Sequence, residues 1–448
     1  MDHFRYRDSC LFAEDVSLDV IAADVATPFY VYSTATVERH YRVFAEALAA
    51  FSPTVCYAVK ANGNLAVIAT LARMGAGADV TSGGELATAL AAGIPAERIV
   101  FSGVGKSSEE MRQALRAGVL QLNVESEAEL ESLDAIARSL GVRAPVALRV
   151  NPDVDAHTHD KISTGRQEDK FGIEWTAAHR IYARASALPG LDVVGVAVHI
   201  GSQLTDTGPF REAFARVRDL VAMLRADGLS IRTLDLGGGL GVPYGNEGLD
   251  VPEPRAYAQA VAETVGDLGC RLIFEPGRMI VGNAGVLVTR VLRVKEGAMR
   301  TFVIVDAGMN DLMRPALYDA WHAIVPVRAP AEDTPLRTVD IVGPVCETSD
   351  TFGTGRLLAA VSAGDLLAIR TAGAYGRSMA SAYNARPLAP EILVHGRRWA
   401  VVNERVTVEQ MLARQHLPSW LTAGPDTRRD KTDDLAMEPA AVAAGRSR

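Results

Sequence analysis

The sequence has few cysteines, no run of basic residues and no long apolar stretch, and each shortage removes a class of protein. Its four cysteines, Cys10, Cys56, Cys270 and Cys346, are scattered through 448 residues with no C-x-x-C pair. That spacing offers neither a disulfide framework nor a zinc site, and it points to a reducing cytoplasm. Lysines and arginines form no stripe, and the formal net charge is −8, which argues against a nucleic-acid partner. No segment approaches the ~18 unbroken apolar residues of a membrane span. The opening MDHFRYRDSC lacks the basic-then-apolar order of a signal peptide. With 48% hydrophobic and 22% charged residues, the composition suits a globular chain of two or three domains. The expected class is a cytoplasmic enzyme with neither nucleic acid nor membrane among its partners.

Strand-like runs alternate with helix-like segments between residues 55 and 277. Eight are counted, namely VCYAVKA at 55, GADVTS at 77, RIVFSG at 98, LQLNVES at 120, VALRVN at 146, VVGVAVHIG at 193, TLDLGGG at 233 and RLIFEPG at 271. Strands separated by amphipathic segments such as SEAELESLDAIARSL imply parallel βα units, and eight of them predict a (β/α)8 TIM-like barrel. Side-chain parity agrees. Val194, Val196 and Val198 share one face of their strand, as Val55, Tyr57 and Val59 share one face of theirs. Gly195, Ala197 and His199, and likewise Cys56, Ala58 and Lys60, fall on the opposite faces, toward the barrel axis. Lys60, Asp79, His199, Asp235 and Glu275 all lie near C-terminal strand ends, the rim where barrel enzymes build their sites.

After Gly277 the rhythm changes. Strands without regular helices, among them GVLVTRVLRVKE, RTFVIVDAG, RTVDIVGP, DLLAIRTAGAY and RRWAVVNERVT, predict a second, mainly β domain. The expected boundaries are 29–280 for the barrel and 281–423 for the β domain, with residues 1–28 adding to the latter. The charged, Ala/Pro-rich tail 424–448 reads as disordered.

Lys60 ends an apolar strand in CYAVKANGN. It is either a strand-end lysine snorkelling to solvent or an amine that forms a Schiff base, its pKa lowered by desolvation. LDLGGGLG, with Gly238 and Gly239, follows the seventh strand, where glycines let backbone amides approach a phosphate; a plain tight turn is the other reading. FEPGR places Glu275, Pro276, Gly277 and Arg278 after the eighth strand. HIGSQ brings His199 and Ser202 to the rim after the sixth, and an imidazole on a Gly/Ala face can stack on a planar ring. A buried lysine, a phosphate cradle, a carboxylate and a stacking imidazole together suit pyridoxal 5′-phosphate. HTHD at 157–160 could suggest a metal, but no further Cys or His stands at ligand spacing, so a solvated loop leading into KFGI is expected and no metal.

The chain resembles the diaminopimelate decarboxylase family, within the alanine-racemase-like (fold type III) pyridoxal-phosphate enzymes. The resemblance runs from about residue 25 to LPSWL at 417. It rests on YAVKAN, ADVTSGGEL, KFGI, HIGSQ, LGGGLG, EPGR, DAGMNDLMRPALYDAWH, GPVCETSD and GAYGRSMASAYNARP. It implies that Lys60 carries the cofactor, that Gly239 and residues 275–278 bind it, that His199 stacks on its ring, and that Ser202 and Tyr375 reach its phosphate. It further implies that Arg278, Arg314, Tyr318, Glu347 and Tyr375 contact substrate and that Cys346 donates a proton. Cys346 and Glu347 would arrive from the second subunit of a homodimer. The implied activity is decarboxylation of meso-2,6-diaminopimelate to L-lysine and carbon dioxide, the last step of lysine biosynthesis. Diaminopimelate carries an amino-acid group at each end, so its unreacted end needs both a cation and an anion; Arg278, Arg314 and Glu347 supply them.

Three alternatives compete. An amino-acid racemase of this fold places an arginine at the ring nitrogen, where this chain offers Glu275. A decarboxylase of ornithine, arginine or carboxynorspermidine meets two superfluous arginines, a conflict greatest for ornithine. A non-enzymatic carrier built from the barrel alone leaves the β domain without purpose.

Overall fold

The computed structural model describes residues 2–155, 170–245, 251–331 and 333–422. The HTHD segment and the tail from residue 424 fall outside them. All eight expected strands form, and they pair in parallel around a closed ring. In chain order they are Thr54–Ala58, Gly77–Val80, Ile99–Phe101, Gln121–Val124, Ala144–Asn151, Leu191–Ala197, Thr233–Asp235 and Arg271–Phe274. The last pairs with the first, Ile273 opposite Thr54 and Phe274 opposite Val55. Closure of this kind removes both sheet edges.

The alternation predicted for these strands is realised. Val55, Tyr57, Ile99, Phe101, Val146, Val196 and Phe274 point outward into one large core beneath the helices. Cys56, Val100 and Ile273 instead meet on the axis as a small apolar plug. Above the plug the barrel is polar. Thr233 Oγ1 donates to Gln121 Oε1 at 3.0 Å, and Gln121 Nε2 donates to Asn123 Oδ1 at 2.8 Å. Gly195 makes room for this layer, because a Cβ there would lie 2.0 Å from Thr233 Oγ1.

Phe29–Ser33 departs from the expected boundary. This strand, all of whose residues are buried, lies inside a nine-stranded mainly antiparallel sheet, between Gly285–Glu296 and Glu391–His395. A strand covered on both faces shows no alternation, so its sequence reads equally well as a barrel strand. Residues 4–17 pack on the β domain without adding a strand to its large sheet. They form a three-stranded antiparallel sheet of their own, whose Phe4 and Leu11 share an apolar cluster with Val286, Val288 and Ile392 of the large sheet. Besides Phe29–Ser33, three further strands of the large sheet were not foreseen: Ile324–Pro326, Thr351–Ala359 and Glu391–His395. Thr351–Ala359 contains two glycines, which mask its pattern. Glu391–His395 begins on a buried glutamate that accepts from Tyr32 Oη at 2.7 Å and from Asn403 Nδ2 at 2.6 Å.

Residues 406–422 form a separate unit holding two short helices, Val408–Leu412 and Ser419–Thr422. The first is closed by reciprocal hydrogen bonds between Thr407 and Gln410, a capping box. No helix among the described residues is long and apolar enough to cross a membrane.

The plug under the polar layer makes a checkable claim. Ile273→Ala should leave a cavity that the closed ring cannot collapse around, and cost about 2–5 kcal/mol. Denaturant unfolding measures this; an unchanged midpoint would mean the plug does not support the barrel.

Candidate active site

The sixth and seventh strands end in loops that are laced together. Leu204 N donates to Gly239 O at 2.9 Å, and Gly241 N donates to Leu204 O at 3.0 Å. The Gln203 amide donates to Val242 O at 2.7 Å and accepts from Val242 N at 3.2 Å. Gln203 holds φ at 61° to do so, a left-handed conformation that costs energy in a non-glycine residue and marks a constrained site. Gly239 has φ at 114°, and a Cβ there would lie 2.6 Å from Gly201 O. Only glycine fits, and the result is a bare backbone concavity.

The large sheet contributes a loop to the same mouth. Tyr375, at φ 56°, donates its backbone N–H to Ala61 O at 2.7 Å, and Asn62 Nδ2 donates to Gly373 O at 3.0 Å. These bonds hold the turn carrying Lys60 against residues 373–375. A cavity of about 400 Å3 lined by Lys60, Ser102, Asn123, Arg149, His199 and Glu275 opens here. An adjoining hollow shares Lys60, His199 and Glu275 and adds Ser202, residues 237–239, residues 276–278 and Tyr375. Every residue expected to bind the cofactor therefore meets in one place.

Lys60 Nζ lies 2.7 Å from Asp79 Oδ2, whose carboxylate is fully buried. This corrects the expectation of a lowered lysine pKa. Burial does act to lower it, but the carboxylates of Asp79 and Glu275 outweigh burial and hold Lys60 above its ordinary value. The free chain carries an ammonium at Lys60. Around it the buried polar groups form a network. Asn123 Nδ2 donates to Asp235 Oδ2 at 2.8 Å and to Ser102 Oγ at 3.1 Å, and Ser102 Oγ donates to Glu275 Oε1 at 3.3 Å. Burial, then the neighbouring charge of Asp235 and Asp79, pushes Glu275 well above the carboxylate range. Burial also raises Asp235, to about 6. A side-chain hydrogen bond joins Asp235 and Glu275, so the two carboxyl groups share a proton. His199 is pushed well below its usual value by burial, helped by Arg149 and Lys60. Its Nδ1 accepts from Gly238 N at 3.1 Å, so the ring is neutral, with its hydrogen on Nε2.

The arginines expected to meet substrate sit on one tyrosine. Arg278 donates to Tyr244 Oη and, at 3.0 Å, to Ser202 Oγ; its guanidinium lies 4.8 Å from the Tyr375 ring centre. Arg314, at the start of helix Arg314–Tyr318, lies 4.6 Å from the Tyr244 ring centre. Both arginines are buried, and among the described residues neither pairs with a carboxylate. Arg278 Nε is buried without a hydrogen-bond partner. Tyr318 ends the Arg314 helix and adds to the charge environment of Arg278.

Cys346 and Glu347 are not brought to this mouth by their own chain. They are exposed and line neither cavity. Their loop is nevertheless braced, since the Asp350 carboxylate accepts from Met309 N and Val345 N, each at 2.6 Å. Tyr383 Oη donates to Glu347 at 2.6 Å.

Sequence reasoning passed over Ser102, Asn123, Arg149, Tyr244 and His322. Inward parity of Gln121 and Asn123 in LQLNV was the available signal for the polar layer. Arg149 pairs with Glu125 at 3.1 Å and lies 5.0 Å from the Phe171 ring centre, a contact that nothing in the local sequence announces.

The donors fit pyridoxal 5′-phosphate. There is a lysine for the aldehyde, a side-chain-free cradle for the phosphate, a neutral imidazole for the ring face, a proton-sharing acid for the ring nitrogen, and orphaned polar atoms at Asp79 Oδ1 and Arg278 Nε. Comparison with known proteins agrees. Residues 34–282 match the family model described as the pyridoxal binding domain of pyridoxal-dependent decarboxylases. Barrel and site thus define a pyridoxal-dependent decarboxylase. The chain is 52% identical to the diaminopimelate decarboxylase of Pseudomonas aeruginosa over 417 residues, 93% of this chain and 99% of that one. Two structures solved with L-lysine superpose closely. The diaminopimelate decarboxylase of Helicobacter pylori gives a TM-score of 0.85 at 43% identity, over 88% of this chain and 98% of that one. That of M. jannaschii gives 0.89 at 38% identity, over 94% and 99%. The chain belongs to the diaminopimelate decarboxylase family.

Two expectations follow from the buried acids. Glu275→Gln should retain cofactor absorbance yet turn over about a hundredfold more slowly, the usual effect of losing one placed charge interaction in a dry site, ~3 kcal/mol; unchanged turnover would remove Glu275 from the ring nitrogen. Asp235 titrates near 6 in the fold against about 3.9 unfolded. Its contribution to stability is complete below about pH 4 and is lost as pH rises through 6. Cofactor-free Asp235→Asn should therefore gain stability relative to wild type between pH 4 and 7. Parallel stability–pH curves would contradict this.

Proposed function

We propose that this chain decarboxylates meso-2,6-diaminopimelate to L-lysine and carbon dioxide, the last step of lysine biosynthesis, as a cytoplasmic homodimer whose sites are shared between subunits. The observation that carries the substrate reading is the pair of buried arginines on Tyr244, neither with a carboxylate partner among the described residues, of which Arg278 shares a hollow with Lys60. An unpaired buried cation is expensive. The distal carboxylate of diaminopimelate supplies the missing anion.

Lys60 would hold the aldehyde carbon of the cofactor; Ser202, Tyr375 and the backbone at 238–239 and 276–278 would hold its phosphate. When bound, pyridoxal 5′-phosphate supplies an electron sink for the pair released as the α-carboxylate leaves. Asp79 Oδ2, at 2.7 Å, is placed to accept the proton that Lys60 Nζ must shed to become nucleophilic. Glu275, held protonated beside Asp235, would keep a proton available at the ring nitrogen. Neutral His199 would cover one face of the bound ring and exclude water without adding positive charge. Arg278 and Arg314 orient the distal carboxylate, Tyr318 and Tyr375 border it, and Glu347 receives the distal ammonium. Cys346 returns a proton to the α-carbon. A preorganised loop that holds an acid and a thiol yet faces solvent in its own chain suits delivery of both to a partner's mouth, which supports the homodimer.

Two experiments test this. In a carbon dioxide release assay over diamino acids, diaminopimelate should exceed ornithine by ~10⁴-fold or more, because ornithine leaves the buried arginines unpaired; faster turnover of ornithine would overturn the substrate assignment. Mixing inactive Lys60→Ala with inactive Cys346→Ala subunits should restore activity, since each mixed dimer contains one intact site. No recovery despite demonstrated subunit exchange would place both residues in one chain's site.

A further inference from the structure

Behind Arg314 lies a side chain with no part in the chemistry above. His322 is fully buried, in the segment joining helix Arg314–Tyr318 to strand Ile324–Pro326. The adjacent backbone is pinned from two directions: Ala323 N donates to Tyr244 O at 3.3 Å, and Arg370 N donates to Ala323 O at 2.8 Å. The Tyr244 ring meets the imidazole edge-on, with centres 5.1 Å apart and planes at 83°. Imidazole Nδ1 lies 2.9 Å from Arg370 O, and Nε2 lies 3.1 Å from Arg314 Nη1.

Those two partners leave one solution. A carbonyl oxygen only accepts, so Nδ1 carries the hydrogen. A guanidinium only donates, so Nε2 offers its lone pair. A protonated imidazole would have nothing to offer Arg314 except repulsion, and burial together with Arg314 pushes His322 down to about 3. A carboxylate in the same place would hold Arg314 more tightly, but it would also neutralise it and compete with the incoming anion. A neutral acceptor fixes the guanidinium while leaving its charge for the substrate. We infer that His322 is a positioning residue that aims Arg314 at the distal carboxylate through the neutral Nε2 acceptor, so that selection for that carboxylate depends on a histidine that never touches it.

This rests on Arg314 meeting the distal carboxylate, and the test separates the two claims. Holoenzyme variants His322→Leu, His322→Gln and Arg314→Ala are checked for cofactor absorbance. They are then compared for kcat and KM with diaminopimelate, and for affinity toward L-lysine and 1,5-diaminopentane, which has the same chain without the carboxylate. His322→Leu should raise KM and weaken L-lysine binding about tenfold or more, the usual scale for a lost hydrogen bond to a charged group. Its kcat should fall less, and its affinity for 1,5-diaminopentane should not change. His322→Gln, whose carbonyl can accept from Arg314, should recover part of the loss. Equal weakening of both amines, or a Gln variant no better than Leu, would overturn the positioning role. If Arg314→Ala loses L-lysine binding and His322→Leu does not, the inference fails alone. If Arg314→Ala binds L-lysine normally, the reading of Arg314 fails and takes the inference with it.

Discussion

Three carboxyl groups, Asp79, Asp235 and Glu275, are buried in the mouth of one barrel with a single ammonium among them, and the rest of the site answers that constraint. Isolated, each would be prohibitively costly to desolvate. The fold supplies a 2.7 Å ion pair from Lys60 to Asp79, a shared proton between Asp235 and Glu275, and amide and hydroxyl donors from Asn123 and Ser102. The donors lie far from their acceptors in sequence, so only closure of the ring brings them together. In a buried network of this kind, losing a member exposes the others to an unpaired charge. The same arrangement puts Glu275 on the wall of both hollows that Lys60 lines.

The second sheet is as necessary as the barrel. It holds Tyr375 against the Lys60 turn, and through helix Arg314–Tyr318 it brings one of the two buried arginines to Tyr244, a residue of the barrel loop. A barrel alone would have the cradle, the lysine and Arg278 but would lack Arg314, Tyr318 and Tyr375, three of the residues proposed to meet the substrate.

Much of this was legible because barrel strands announce themselves. Outward valines and inward small residues in VVGVAVHI fixed both the parity and the rim position of His199, and three successive glycines marked the cradle. What was not legible depended on distant partners or on context. Phe29–Ser33 is apolar throughout and carries no mark of which sheet it joins. The direction of the Lys60 pKa turns on Asp79, nineteen positions away, and desolvation considered alone predicts the opposite sign. Tyr244 and His322 are single polar residues in loops, and they acquire meaning only when Arg278 and Arg314 stack upon one and lean upon the other.

The claim on which the account turns is that the buried acid pair keeps the cofactor's ring nitrogen protonated. Nitrogen-15 NMR of holoenzyme carrying ring-labelled pyridoxal 5′-phosphate measures this directly. The account predicts a pyridinium shift that persists well above the pH at which the free cofactor loses that proton. A shift typical of the unprotonated pyridine at neutral pH would contradict it.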